Sequence, residues 1–598
     1  MDTPAERLAA LRQLMRHEGI SAWIVPSADP HLSEYLPLHW QARRWLSGFT
    51  GSAATLVVMA DSADLWADSR YWEQAEQQLA GTGIHLQKLG PGHTHVEHLA
   101  ACLPAQAVVG VAADMLSLSA RRQLEQAFAT RGLRLRPGAD LVAPIWTDRP
   151  PLPAKPIVPH EAAFVSESTA DKLRRVREAM KQKAATHLLL SALDDIAWLT
   201  NLRGSDVAFN PVFLAHLLIG VESARLYVEV SRLDARAGSL LQQAGIELAP
   251  YAQIGADMAS LTGTLMLDPA KVAVSTLQRL PASVALVESI NPSTLFKSTK
   301  SATDIAHTRE AMIQDGVALC GFFAEFEQNL ADGKPMSELD VARMLTEHRS
   351  RQPHYVSPSF GTIAGFNANA ALPHYSATQD AFSMIEGDGM LLIDSGGQYQ
   401  NGTTDITRVV PVGQSTDAQR RDYTLVLKAH IALAETVFPE NIGAPMLDAI
   451  CRKPMWQQHS DYGHGTGHGV GYFLNVHEGP QVISYHAPVR PQSAMKVGMI
   501  SSIEPGIYRP GQWGIRIENL VVNQPVTEPR ETAFGHYLYF EPLTLCPIDT
   551  RLIERSLMTE AEVRWLDAYH ALVRERLAPR TEGAAHAWLM ERTKALWF

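Results

Sequence analysis

"LLIDSGGQYQNGTTDITRVV", residues 391–410, sets one acid in each of two apolar runs that flank a turn rich in glycine and asparagine. The central "GGQYQNG" has the composition of a hairpin loop. With that loop centred between Tyr399 and Gln400, Asp394 is expected directly opposite Asp405, and Ile393 and Ile406 are expected on the other face. Two carboxylates held side by side repel each other, so such a pair needs a shared proton or a cation between them.

The device recurs in "MISSIEPGIYRPGQWGIRIENLVV", residues 499–522. A loop centred at Gly511 puts Glu504 opposite Glu518, with Arg516 on the face of Glu518. Between the two hairpins lies "HGTGHGVG", residues 464–471, in which half the residues are glycine. Glycine costs about 1 kcal/mol relative to alanine inside a helix, so this segment reads as extended backbone built for close approach. His464 and His468 then share a face, with Thr466 between them.

Asp394, Asp405, Glu504 and Glu518 with His468 make an oxygen-dominated donor set whose four negative charges two divalent cations would neutralise. Hard donors suit Mn(II), with Zn(II) or Co(II) as alternatives. Two such ions about 3.5–4 Å apart can share a bridging hydroxide as nucleophile while one polarises a carbonyl. The chemistry implied is metal-assisted hydrolysis.

At 598 residues and 65.7 kDa the chain is too long for one hydrophobic core, and three or four domains are expected. With 46% hydrophobic and 19% charged residues it is expected to fold rather than stay disordered. A net charge of −11, with no long basic run, argues against nucleic acid or an anionic membrane as partner. The opening "MDTPAERLAALRQLMRHEG" reads as an amphipathic helix rather than a secretory signal. The longest apolar run, "VFLAHLLIGV", is about half of what crosses a bilayer, and a cytoplasmic protein is expected. Cys102, Cys320, Cys451 and Cys546 form no CxxC pair, so buried free thiols are expected rather than disulfides or a zinc knuckle.

The chain also carries a weak duplication. "AERLAALRQLMRHEGISAWIV" from Ala5 and "ADKLRRVREAMKQKAATHLLL" from Ala170 align without gaps, matching Leu8 with Leu173, Leu11 with Val176 and Met15 with Met180 at helical spacing. Each helix runs into an apolar strand. Further on, "RRWLSGFTGSAATLVVM" and "IAWLTNLRGSDVAFNPVFLAHLLIG" both end a Trp-Leu helix at a glycine turn before another strand. Two α/β modules of one plan are therefore expected, joined by the extended Pro-rich "RPPLPAKPIVPHE", residues 149–161. A second boundary is expected near residues 290–305, before a helical pattern from Ile305 to about Leu330.

The order Asp394, Asp405, His468, Glu504, Glu518, together with "HGTGHGVG", "NVHEGP", "EPGIY" and "GIRIEN", resembles the pita-bread metallopeptidases. "SADPHLSEY", "SGFTGSAATLVV", "ADSRYWEQA", "IDSGGQYQNGTTDITR" and "FEPLTLCPID" extend the resemblance over the whole chain, to the three-domain cytosolic type of Xaa-Pro aminopeptidase. The fold class this implies is α/β (α+β): creatinase-like modules at 1–158 and 159–298, then a pita-bread catalytic domain with a C-terminal extension at 299–598. The resemblance makes the four acids and His468 ligands of two metal ions, with Asp405 and Glu518 bridging and Glu504 also taking up a proton. It makes His374, His464 and His477 substrate-binding and proton-moving residues, and puts Arg516 near the site and Tyr508 close to the proline pocket. It further implies a homodimer acting on peptides with proline in second place. Prolidase, which cuts only Xaa-Pro dipeptides, shares these ligands and remains an alternative. A non-catalytic pita-bread binding module would be expected to lack some of the five ligands, all of which are present.

Overall fold

The computed structural model describes residues 3–528 and 531–596, which fall into two compact units, Met1–Ser293 and Thr294–Phe598. The first unit contains the duplication. Its first sheet comprises β1 (Ala22–Pro26), β2 (Thr55–Met59), β3 (Ala63–Ala67), β4 (His85–Lys88), β5 (Val108–Ala112) and β6 (Arg134–Gly138), in the order β4-β3-β2-β1-β5-β6. Its second comprises β7 (His187–Leu190), β8 (His216–Gly220), β9 (Ala224–Val228), β10 (Glu247–Pro250), β11 (Thr264–Leu267) and β12 (Ala285–Glu288), in the order β10-β9-β8-β7-β11-β12. The succession of parallel and antiparallel pairings is the same in both.

Helix α1 (Pro4–Glu18) precedes β1, and α2 (Thr169–Gln182) precedes β7. All six matched side chains, Leu8, Leu11, Met15, Leu173, Val176 and Met180, are buried. The aligned positions are therefore the core stripes of two equivalent helices. The repeat is looser at the Trp-Leu helix ends. The first ends on Gly48 in the left-handed conformation, φ 77°, whereas Asn201 takes that place in the second, φ 54°. Asparagine tolerates this region better than other side chains, and Gly204 instead lies where a Cβ would meet Phe213 at 2.7 Å. In the Pro-rich stretch, residues 151–156 carry no regular structure, and Val158–Pro159 pairs with Leu202–Arg203. Cys320, Cys451 and Cys546 are buried as expected, but Cys102 is exposed at the end of an amphipathic helix.

The second unit is built on two long hairpins. The first runs from β14 (Gly389–Ser395) through β15 (Gly397–Tyr399) and back through β16 (Gly402–Thr403) to β17 (Ile406–Val412). The second runs from β18 (Ile500–Ile503) through β19 (Gly506–Arg509) and back through β20 (Trp513–Arg516) to β21 (Asn519–Pro525). Ile363–Phe366, here β13, completes a three-stranded sheet with β14 and β17. Strand β22 (Tyr537–Pro542) and the short Val437–Pro439 complete a four-stranded sheet with β21 and β18. A bridge between Thr407 and Glu518 links the two sheets.

Helices cover both faces. Leu391, Ile393, Ile406, Val410 and Val412 pack against Phe322, Phe323 and Phe326 of α3 (Ala302–Ala331) and Met344 of α4 (Glu338–Ser350). Met390, Leu392 and Val409 on the opposite face join a core with α5 (Asp417–Ala434), α6 (Asp448–Trp456) and α7 (Glu560–Leu577). Helix α8 (Gly583–Arg592) docks on α3, with the rings of Trp588 and Phe323 stacked 5.2 Å apart. Among the described residues, no helix is long and apolar enough to cross a membrane.

The tip of the first hairpin is tied to these helices. Arg349 of α4 forks onto Asp315 of α3 at 2.8 and 3.2 Å, and Tyr399 donates to the same carboxylate at 2.9 Å. All three are buried. Removing one partner leaves an uncompensated charge, so Asp315→Ala is expected to destabilise the second unit by about 3–5 kcal/mol, read as a lowered midpoint in urea unfolding; a change within error would contradict this reading.

Candidate metal centre

Each hairpin is interrupted where its acids sit. In the first, pairing between β14 and β17 stops at Ser395 and Ile406 and resumes at Gly397, with Asp394 just before the break and Asp405 inside it. In the second, Glu504 and Glu518 lie in the gap between the β18–β21 and β19–β20 ladders. The register there, Ile503 opposite Asn519 and Gly506 opposite Arg516, agrees with a loop centred at Gly511 and brings Glu504 and Glu518 across from one another.

The first hairpin departs from the expected register. Its turn is Gln400–Asn401, with Tyr399 paired to Gly402, so Asp394 faces Thr407 rather than Asp405, and Ile393 faces Arg408. Gly402 belongs to a strand, not to the loop, because α3 crosses it so closely that a Cβ would stand 3.0 Å from that of Ala311. The shift amounts to two residues across the ladder, so every side chain keeps its face. Asp405 and Thr407 still point with Asp394, while Ile393 and Ile406 still point into the core beneath α3.

Donor atoms of Asp405, His468 and Glu518 all lie within 4.8 Å of one another. His468 Nε2 stands 3.5 Å from Asp405 Oδ2 and 3.4 Å from Glu504 Oε1. Its Nδ1 is 2.9 Å from the Gly469 carbonyl, and His464 repeats the arrangement with Nδ1 at 2.8 Å from the Gly465 carbonyl. A carbonyl can only accept, so Nδ1 carries the hydrogen in both rings and Nε2 presents its lone pair. Asp394 is held by Arg516, whose Nη2 donates to Oδ2 at 2.6 Å, while Oδ1 is buried without a hydrogen-bond partner.

Burial pushes the Asp405 carboxyl well above the usual range, and repulsion from Asp394 and Glu504 adds to it. Burial does the same to Glu518, reinforced by Asp405, Glu504 and Asp394. Glu504 is raised by burial to about 7, with Arg516 pulling down and Asp394 pushing up. Burial works against the charge of Arg516, but Tyr508 and the acids around it hold the guanidinium protonated more firmly than usual. The acids thus sit closer together than their own charges allow. An orphaned carboxylate oxygen, an oriented imidazole and mutually repelling acids together fit divalent cations as the missing positive charge.

The remaining candidates surround this core. His464 Nε2 is 2.8 Å from the Tyr508 hydroxyl, which also accepts from Arg516 Nη1 at 2.7 Å. Burial lifts that phenol to about 12. The ring of His477 meets that of His468 edge-on at 4.3 Å. His374 follows Pro373, whose carbonyl accepts from Arg516 Nη2 at 3.4 Å. The turn carrying it rests on β20 at Gly514, where a Cβ would stand 1.7 Å from the Ala370 oxygen.

Further supports were not singled out from sequence. Thr407 Oγ1 donates to Glu518 Oε2 at 2.7 Å and accepts from Arg516 Nε at 3.2 Å. Ser502 Oγ donates to Glu504 Oε1 at 3.1 Å and accepts from His468 N at 3.0 Å. Both lie two residues from an acid, and strand alternation alone could have found them. Arg452 of α6 donates to the carbonyls of Tyr462 and His464 at 2.8 and 2.6 Å, and Asp448 accepts from Thr466, so the His464–His468 segment is held from beneath. Glu478, beside His477, is buried against Lys300 at 2.6 Å and Lys297 at 3.5 Å. No local pattern announces these last two.

Residues 306–525 match metallopeptidase family M24, and 536–596 match the C-terminal region of peptidase M24. Residues 7–144 and 148–304 each match a creatinase/prolidase N-terminal domain. Aminopeptidase P2 of Arabidopsis thaliana is 36% identical over 99% of this chain and 88% of its own length. A probable Xaa-Pro aminopeptidase P of Coprinopsis cinerea is 36% identical over 98% of both chains. The crystal structure of an X-prolyl aminopeptidase from Caenorhabditis elegans, described as a cytosolic enzyme with a di-nuclear active site, superposes with a TM-score of 0.94 at 32% identity, covering 100% of both chains. The chain belongs to the Xaa-Pro aminopeptidases of metallopeptidase family M24.

Proposed function

We propose that this enzyme hydrolyses the bond between the N-terminal residue of a peptide and a proline in second place, with two divalent cations held by Asp394, Asp405, His468, Glu504 and Glu518. The observation that carries the reading is the convergence of Asp405, His468 and Glu518 within 4.8 Å, with Glu504 Oε1 3.4 Å from the same imidazole. Asp405 and Glu518, the two acids inside this group, would be shared between the two ions. The oxygen-rich donor set favours Mn(II), with Zn(II) or Co(II) as alternatives. Once bound, the ions supply Lewis acidity to the substrate carbonyl and a water acidic enough to attack it near neutral pH.

The side chains then have separate tasks. Glu504 would accept the proton of the attacking water. The proline nitrogen leaves as an amine only after gaining a proton; His374 and His477 would relay it and hold the oxyanion, and His464, whose Nε2 accepts from Tyr508, would take part through that hydroxyl. Tyr508, fixed between His464 and Arg516, lines the proline pocket. Arg516 keeps Asp394 oriented. The proposal extends to a cytosolic homodimer divided at 1–158, 159–298 and 299–598, by analogy with the family.

Incubation with Mn(II) and a peptide beginning Arg-Pro-Pro, with and without chelator, tests this directly. Free arginine that the chelator suppresses supports the reading. Cleavage of Xaa-Pro dipeptides alone would make it a prolidase, and hydrolysis of neither would point to a binding module.

Asp405→Asn is expected to lower turnover by at least about 10²–10³-fold, the scale of losing a preorganised electrostatic contact, with an unchanged circular-dichroism spectrum; near-normal turnover would remove Asp405 from the ligand set. His374→Ala is expected to cost about 10²–10⁴-fold in turnover while metal content, read by mass spectrometry, is retained. Loss of metal would make His374 a ligand instead.

Glu504 titrates near 4.5 when unfolded and about 7 in the folded, metal-free protein. A raised folded value gives stability that is complete below the unfolded pKa and lost as pH climbs through the folded one. The melting temperature of metal-free protein should therefore fall between pH 5 and pH 8, as the direction of the Asp405 and Glu518 shifts also requires. The Glu504→Gln variant should show a shallower fall, and Mn(II) should stabilise the parent more at the higher pH. A flat or rising trend in the metal-free parent would contradict the assignment.

A further inference from the structure

His374 sits between two tethers. The carbonyl of Pro373, just before it, accepts from Arg516 Nη2 at 3.4 Å, and the hydroxyl of Tyr375, just after it, donates to Glu338 Oε2 at 2.8 Å. The first tether leads to the guanidinium that holds Asp394. The second leads to a buried acid at the start of α4.

Glu338 is a hub for the segment that carries His374. Its Oε1 accepts from the N–H of Phe366, the last residue of β13, at 2.7 Å, and its Oε2 accepts from the N–H of Ser383 at 2.7 Å. Asn369 Nδ2 lies 3.0 and 3.1 Å from the two oxygens. The backbone N–H of Glu338 itself donates to the Ser383 carbonyl at 3.1 Å. One carboxylate thus gathers the start, the middle and the end of residues 366–383. An acid is favoured at a helix N-terminus, and its loss would leave several donors without their acceptor.

Tyr375 is oriented from two sides. Asn369 Nδ2 stands 3.0 Å from its oxygen, so the hydroxyl accepts there and gives its hydrogen to Glu338. Consecutive Cα atoms are about 3.8 Å apart, so a backbone whose two neighbours are both held has little freedom to shift. The His374 imidazole is then left with its own side-chain torsions alone.

We propose that Tyr375, anchored by Glu338, is a positioning residue that sets the place of the His374 imidazole in the peptidase reaction. The inference rests on the role assigned to His374 above.

A double-mutant cycle on the full-length, Mn(II)-loaded protein, with the Arg-Pro-Pro peptide as substrate, tests it. Tyr375→Phe removes one hydroxyl and keeps the ring. It is expected to lower kcat by about 10–100-fold, up to the cost of roughly 1 Å of misplacement, with metal content unchanged. In the His374→Ala background the same substitution should change kcat by less than about twofold, because the group it positions is already absent. A merely structural role would give the same loss in both backgrounds. Glu338→Gln, which sets an amide among donors, should reproduce the loss and the same dependence on His374. Parent-like kcat in Tyr375→Phe, an equal loss in both backgrounds, or loss of metal would overturn the positioning role and leave the assignment of His374 standing; parent-like kcat in Glu338→Gln would remove it as the anchor. Parent-like turnover of His374→Ala alone would overturn that assignment, and the positioning role with it.

Discussion

Like-charge repulsion in a buried place is the constraint around which the second unit is organised. Asp394, Asp405 and Glu518 are each less than a tenth exposed, and burial and mutual repulsion drive Asp405, Glu504 and Glu518 away from ionisation. Such a cluster persists only if protons are retained or positive charge is supplied, and the backbone holds the acids against their own repulsion. Arg516 supplies one fixed charge, to Asp394. Divalent cations would supply the rest. The two hairpins give the rigidity, because Asp394 projects from a strand and the other three acids sit in short breaks between strands packed under helices.

The supports of the site follow from that demand. Thr407 and Ser502 spend their hydroxyls on Glu518 and Glu504. Gly465 and Gly469 turn their carbonyls onto the two imidazoles, which fixes one tautomer in each. Arg452 and Asp448 hold the loop between them from the α6 side. These contacts keep donors in place before any ion arrives, so little reorganisation is required on binding.

Much of this was legible in the sequence for one reason: strands repeat every two residues. Asp394, Asp405, Glu504 and Glu518 could be assigned to shared faces from alternation alone, and the two-residue error in the first hairpin did no harm because it preserved parity. The turn falls one residue beyond where the glycine-rich composition puts it, because Gly402 is needed where α3 crosses the strand. The duplication was legible through Leu8, Leu11 and Met15 and their counterparts, since core stripes retain their spacing. Arg452 and Lys300 were not, because each acts through tertiary contacts that no window of neighbouring residues contains.

The claim that four acids and one histidine hold two cations is tested most directly by anomalous diffraction from crystals grown with Mn(II), recorded on both sides of the manganese edge. The account predicts two peaks about 3.5–4 Å apart, with Asp405 and Glu518 touching both and His468 touching one. A single peak, or peaks away from Asp405 and Glu518, would contradict it.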